Sequence, residues 1–90
     1  MLLQYDVNKN TLNLRKHHIP LSSGLAAIND PDSIISFDDK NSINEDRYVA
    51  IGRSGNQVLF VSFTMRDEVE RIISVRKAEA EEEKEYWGQY

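Results

Sequence analysis

Hydrophobic and polar positions change their period once along the chain, near residue 33. Before that point Leu21, Gly24, Leu25 and Ile28 recur at the i, i+3, i+4, i+7 spacing that puts side chains on one helix face, and Asn29, Asp30 and Pro31 stop the helix. Upstream, Leu2 to Tyr5 is a short apolar run that reads as a strand, and Asp6 or Asn8 caps a helix over Lys9 to His17. After that point the pattern is one of strands. Ser33 to Phe37 (SIISF) is a short strand, and Asp38 to Asn44 is a polar loop whose one core-type residue is Ile43. Arg47 to Arg53, Val58 to Met65 and Val69 to Arg76 are rich in β-branched and aromatic residues. Ser54, Gly55 and Asn56 join the first of these to the second, and Arg66, Asp67 and Glu68 join the second to the third, which predicts an antiparallel meander. Lys77 to Trp87 consists of strong helix formers with Ala78, Tyr86 and Trp87 as most of its apolar surface, so it predicts a helix that is solvated or held against another body.

Alternation then assigns faces. Leu59, Val61, Phe63 and Met65 point one way, under the helices, and Phe60, Ser62, Thr64 and Arg66 the other. The same rule puts Val49, Ile51, Ile73 and Val75 inward and leaves Tyr48, Ala50, Gly52, Ile72, Ser74 and Arg76 on a semi-polar face open to a ligand. The expectation is one α+β domain over residues 1–90. Its antiparallel sheet is the C-terminal meander plus one or two N-terminal strands, with two N-terminal helices on one face and a C-terminal helix.

Composition narrows the picture. Ninety residues with 40% hydrophobic content carry one modest core, and the absence of cysteine excludes disulfide or thiolate-metal staples. The opening MLLQYDVNKN has no signal-peptide pattern, and no window approaches the ~20 apolar residues of a membrane span, so a cytoplasmic protein away from the membrane is expected. The net charge of -4 opposes nucleic-acid binding, but residues 1–78 hold ten basic and ten acidic side chains. The whole excess lies in the tail, where five Glu face Lys84. Acids early in that helix suit the positive end of its dipole, and an acidic arm for a basic partner is the alternative.

Three clusters carry a resemblance. Tyr5-Asp6-x-x-Lys9-x-x-x-Asn13-x-x-Lys16-His17 is similar to the opening signature of the BrnT family of bacterial ribonuclease toxins. Glu45 to Ser54 (EDRYVAIGRS) resembles that family's ERYIAIGRS strand, and Arg71 to Ala78 (RIISVRKA) its RIISARKA strand, with Glu82 and Tyr86 where its final helix carries Glu and Tyr. Together the clusters cover nearly the whole chain. The resemblance implies a RelE-like fold, metal-independent RNA cleavage that inhibits translation, and neutralisation by a BrnA-like antitoxin whose ribbon-helix-helix part binds DNA, so that the toxin meets DNA only through its partner. The chain departs from the pattern at His18, where the family commonly has Gly, at Pro20 and Gly24 in the second helix, and in its acidic final helix.

Metal-free RNA cleavage uses the 2′-hydroxyl as nucleophile and asks the protein for a base, an acid and cations. Arg76 is the first candidate for the phosphate clamp, because its planar fork binds two oxygens at once, and Arg47 is the second, although alternation points it away from Arg76. The competing reading of each is a salt bridge to a nearby acid such as Asp46 or Glu70. His17 fits base or acid by its ordinary pKa, or else closes its helix; Glu45 is the acid within a matched motif. Lys9 and Lys16, seven apart on one helix face, fit RNA phosphates, as does Lys77, and Tyr48 fits a stacked base, with plain solvation or cross-strand packing as the alternatives. No cofactor loop is present, and His17 with His18 makes no metal site without further ligands. A second function stays open: a catalytically weak module that holds a DNA-binding antitoxin and tunes autorepression.

Overall fold

The computed structural model describes residues 4–89. Of the predicted first strand, Gln4–Tyr5 forms β1, while Leu2 and Leu3 lie outside the described residues. Helix α1 (Val7–His17) begins earlier than the pattern suggests, because the Asp6 carboxylate accepts from the N–H groups of Asn8 and Lys9 at 2.8 and 3.2 Å. Arg15 and Lys16 stand in its last turn beside His17, where their positive charges meet the negative end of the helix dipole. His18 then ends it in the left-handed conformation (φ 60°), a position Gly fills without steric cost. Helix α2 (Ser23–Asn29), β2 (Ile34–Phe37) and a 3-10 turn (Asp39–Asn41) lead into the meander β3 (Arg47–Ser54), β4 (Gln57–Arg66) and β5 (Val69–Lys77), and α3 (Ala80–Trp87) follows. Among the described residues no helix is long and apolar enough to cross a membrane.

The α+β architecture is the one the sequence predicts, a five-stranded sheet in the order β1-β5-β4-β3-β2. All neighbours pair antiparallel except β1, which runs parallel to β5. Helix α2 packs on β3, β4 and β5, and α1 packs against β5. The main core, on this helix-covered face, gathers Ile19, Leu21, Ala27, Ile28, Ala50, Leu59, Val61, Phe63, Ile72 and Val75.

One predicted face is reversed, that of β3, and in β5 the prediction fails only at Ile72 and Ile73. In β3 the register pairs Gly52 with Leu59, Ala50 with Val61 and Tyr48 with Phe63, so these residues, not Val49 and Ile51, lie under the helices. Small residues stand there because α2 comes close: a Cβ on Gly52 would sit 2.0 Å from the Ala27 carbonyl oxygen. Ile51 is buried from the other side, in a second cluster with Val58, Ala78 and Tyr86 that α3 brings down on the far face. In β5, Ser74 pairs with Ser62 but Ile72 with Phe63, leaving Ile73 as a bulge. The extra residue turns Ile72 into the main core, where strict alternation had placed Ile73. The far face is therefore partly roofed by α3 rather than wholly open.

Candidate functional site

Beyond Ile72, β5 has no strand on its outer side among the described residues, so the polar groups of Val75 need another partner. Asn13 supplies it. Its amide nitrogen donates to the carbonyls of Val75 and Ile19, each at 2.7 Å, and its oxygen accepts from the Val75 N–H at 3.1 Å. The side chain is 6% exposed, so one buried amide locks α1 to the sheet edge. An open cleft of about 450 Å³ results between the helix and the strand. Lys9, Lys16 and His17 line its helix wall, Ser74 and Arg76 its strand wall, and no carboxylate lines it. Four of the sequence-derived candidates meet here. Partial burial, then the neighbouring Lys16, Arg76 and His18, hold the His17 pKa below its ordinary value.

Arg76 is also engaged from α3. Its guanidinium donates to both Glu82 carboxylate oxygens at 2.7 and 2.8 Å and to the Lys77 carbonyl at 3.2 Å, with Glu79 3.4 Å away. Its carbon lies 4.1 Å from the Phe60 ring centroid, a cation–π position. Glu82 does double duty, because the oxygen nearest Arg76 also accepts from the Glu79 N–H at 2.8 Å, half of a capping box that starts α3. Hydrogen bonding to Glu82 raises the Arg76 pKa, and the same bond lowers that of Glu82.

The other candidates lie elsewhere. Glu45 and Arg47 line a second cleft of about 300 Å³ with Asn41, Ile43 and Asn44, and Glu45 pairs with Arg66 at 3.4 Å. Contrary to the alternation argument, Arg47 shares the sheet face of Arg76, a direct consequence of the reversed β3. Tyr48 is on the helix-covered face, stacked on Phe63 with centroids 5.6 Å apart and edge-on to Phe37, not on the face expected to hold RNA. Lys77 is exposed and aligns with Leu59 of that same opposite face. Neither Asp46 nor Glu70 is an ion-pair partner of Arg47 or Arg76. Sequence reasoning passed over Asn13 as a working residue. Its signal was a polar side chain inside the N-terminal motif, flanked by Leu12 and Leu14, with no evident reason to be buried.

Residues 5–82 match the family described as the ribonuclease toxin BrnT of type II toxin-antitoxin systems. No curated protein matches the chain.

Proposed function

Because this chain belongs to the BrnT family of ribonuclease toxins of type II toxin-antitoxin systems, we propose that it cleaves RNA without a metal ion, in the cleft between α1 and the free edge of β5. The observation that supports this most is the grouping of Lys9, Lys16, His17 and Arg76 in one cleft. A neutral His17 imidazole accepts the proton of the 2′-hydroxyl as that oxygen attacks the adjacent phosphorus; the P–O5′ bond breaks, leaving a 2′,3′-cyclic phosphate, and the departing 5′-oxygen takes its proton from water. The guanidinium of Arg76 and the ammonium groups of Lys9 and Lys16 balance the charge that builds on the phosphate oxygens. Glu45, Tyr48 and Lys77 have no part in this version of the site. The rest of the reading is a RelE-like toxin that inhibits translation in the cytoplasm, takes no cofactor, and is neutralised by a BrnA-like ribbon-helix-helix antitoxin through which alone it meets DNA.

One observation favours a second reading. Arg76 is committed to Glu82 and Glu79, so a phosphate has to displace an internal carboxylate to use it. On that reading the chain is a catalytically weak module that holds the antitoxin. Purified protein incubated with a single-stranded RNA and its all-deoxy copy, with and without EDTA, separates the two. Shortening of the RNA alone, indifferent to EDTA and lost in Arg76→Ala, supports the nuclease. Intact RNA with intact antitoxin binding supports the module.

A further inference from the structure

Five of the six arginines of this chain fall on one sheet face. The bulge at Ile73 is responsible for one of them. Strict alternation from Arg76 sends Arg71 under the helices, but the extra residue returns it to the face of Arg76, with Ile72 in the core behind it. Across the sheet, Arg71 aligns with Thr64 and Thr64 with Arg47, so the two arginines flank one residue of the central strand. Strand spacing puts their Cα atoms roughly 10 Å apart, within reach of one phosphate held between them. Thr64 itself is buried, its hydroxyl donating to the Asp46 carbonyl at 2.6 Å, so the floor between them is closed.

Their surroundings differ from those of the other arginines. Arg66 is paired with Glu45 and Arg76 with Glu82 and Glu79, whereas among the described residues neither Arg47 nor Arg71 has a carboxylate within 4.0 Å. Two half-buried arginines that form no internal ion pair attract an external anion. The row between this pair and Arg76 is Val49, Ser62 and Ser74, and Ser74 also lines the cleft beside α1. A hydroxyl-bearing track thus connects the two positions.

We infer that Arg71 and Arg47 form a second phosphate-binding position for an RNA strand that leaves the α1–β5 cleft and crosses the sheet over Ser74 and Ser62. The inference rests on the nuclease reading above and extends it to the length of the RNA the protein holds. Binding of a fluorescent ten-nucleotide single-stranded RNA to the full chain across a KCl series tests it. Arg71→Ala and Arg47→Ala each weaken binding about tenfold at low salt and make the dependence of log Kd on log salt shallower by about one. Arg15→Ala, which removes the same charge from the exposed side of α1, leaves both unchanged. Circular dichroism checks folding, and Arg71→Gln replaces Arg71→Ala if the latter is unfolded. If wild-type protein does not bind the RNA, the nuclease reading itself fails. If it binds and the Arg71 and Arg47 variants behave like Arg15→Ala, the second position is overturned while that reading stands. Unchanged RNA binding with loss of poly-glutamate binding also overturns it, in favour of an acidic protein partner.

Discussion

Arg76 and Glu82 hold each other through two parallel hydrogen bonds, 2.7 and 2.8 Å long, across the gap between the end of the sheet and the first turn of α3. The pair is 28% and 19% exposed, dry enough for the bonds to matter and open enough for an external anion to compete. Glu82→Gln keeps an oxygen to cap the Glu79 N–H but removes the charge. The expected outcome is a loss of about 1–2 kcal/mol of stability, read as a lower urea midpoint, together with tighter RNA binding as Arg76 is freed. RNA binding that weakens in this variant shows instead that Glu82 orients Arg76 for its ligand.

The same pair sets an acid limit. Bonding to Arg76 keeps the Glu82 pKa below that of an unfolded glutamate, so its contribution is complete above the unfolded value, near ~4.3, and is lost as pH falls through the lower folded value. Wild-type protein therefore loses stability faster than Glu82→Gln as pH drops below about 5. Urea midpoints measured for both proteins at pH 7, 5, 4 and 3 should converge. A gap of constant size across that series would mean that the ionised pair contributes nothing.

Asn13→Ala is expected to be among the most damaging single changes. It leaves the Val75 N–H and the carbonyls of Val75 and Ile19 without their partner, at about 1–3 kcal/mol for each group that water does not reach. The loss should total roughly 3 kcal/mol or more, a fall in Tm beyond 10 °C for a domain of this size. Asn13→Asp also fails, because a carboxylate accepts but cannot donate to the two carbonyls. Stability close to wild type in either variant would show that α1 is held by its other contacts.

What was legible in the sequence follows from what sequence periodicity encodes. The existence and order of β3, β4 and β5 were visible because β-branched runs and turn residues are local signals, and the inward face of β4 was unambiguous in Leu59, Val61 and Phe63. Faces failed where bulk misled: Ile51 looks more buried than Ala50, yet α2 takes the room above Ala50 and Gly52 while α3 buries Ile51 from behind. A bulge is invisible to alternation, so Ile72 went to the wrong side. For the site, Lys9, Lys16 and His17 were legible as one motif on one helix. That they would meet Arg76, some sixty residues later, depends on a buried amide whose partners are backbone atoms, and backbone partners leave no mark in a sequence.

His17 gives the sharpest test of the cleft, because the proposed chemistry requires the unprotonated ring. Burial, and then the neighbouring Lys16, Arg76 and His18, disfavour the imidazolium, so the folded pKa lies below the ordinary imidazole value. If His17 is the base, RNA cleavage is flat around neutral pH and falls on the acid side as the ring is protonated. Lys16→Gln removes a neighbouring positive charge, lets the pKa rise, and moves the acid limb to higher pH. His17→Gln lowers the rate roughly 100-fold or more and abolishes the limb. The folded pKa itself is measured by following the ring C–H proton by NMR, which requires no activity. The depressed pKa also ties folding to pH: between the folded and ordinary values the unfolded chain binds more protons, so stability rises with pH there and is lost on acidification. A titration at or above the free-imidazole value, or an acid limb that survives His17→Gln, would remove His17 from the reaction and leave the cleft a binding surface.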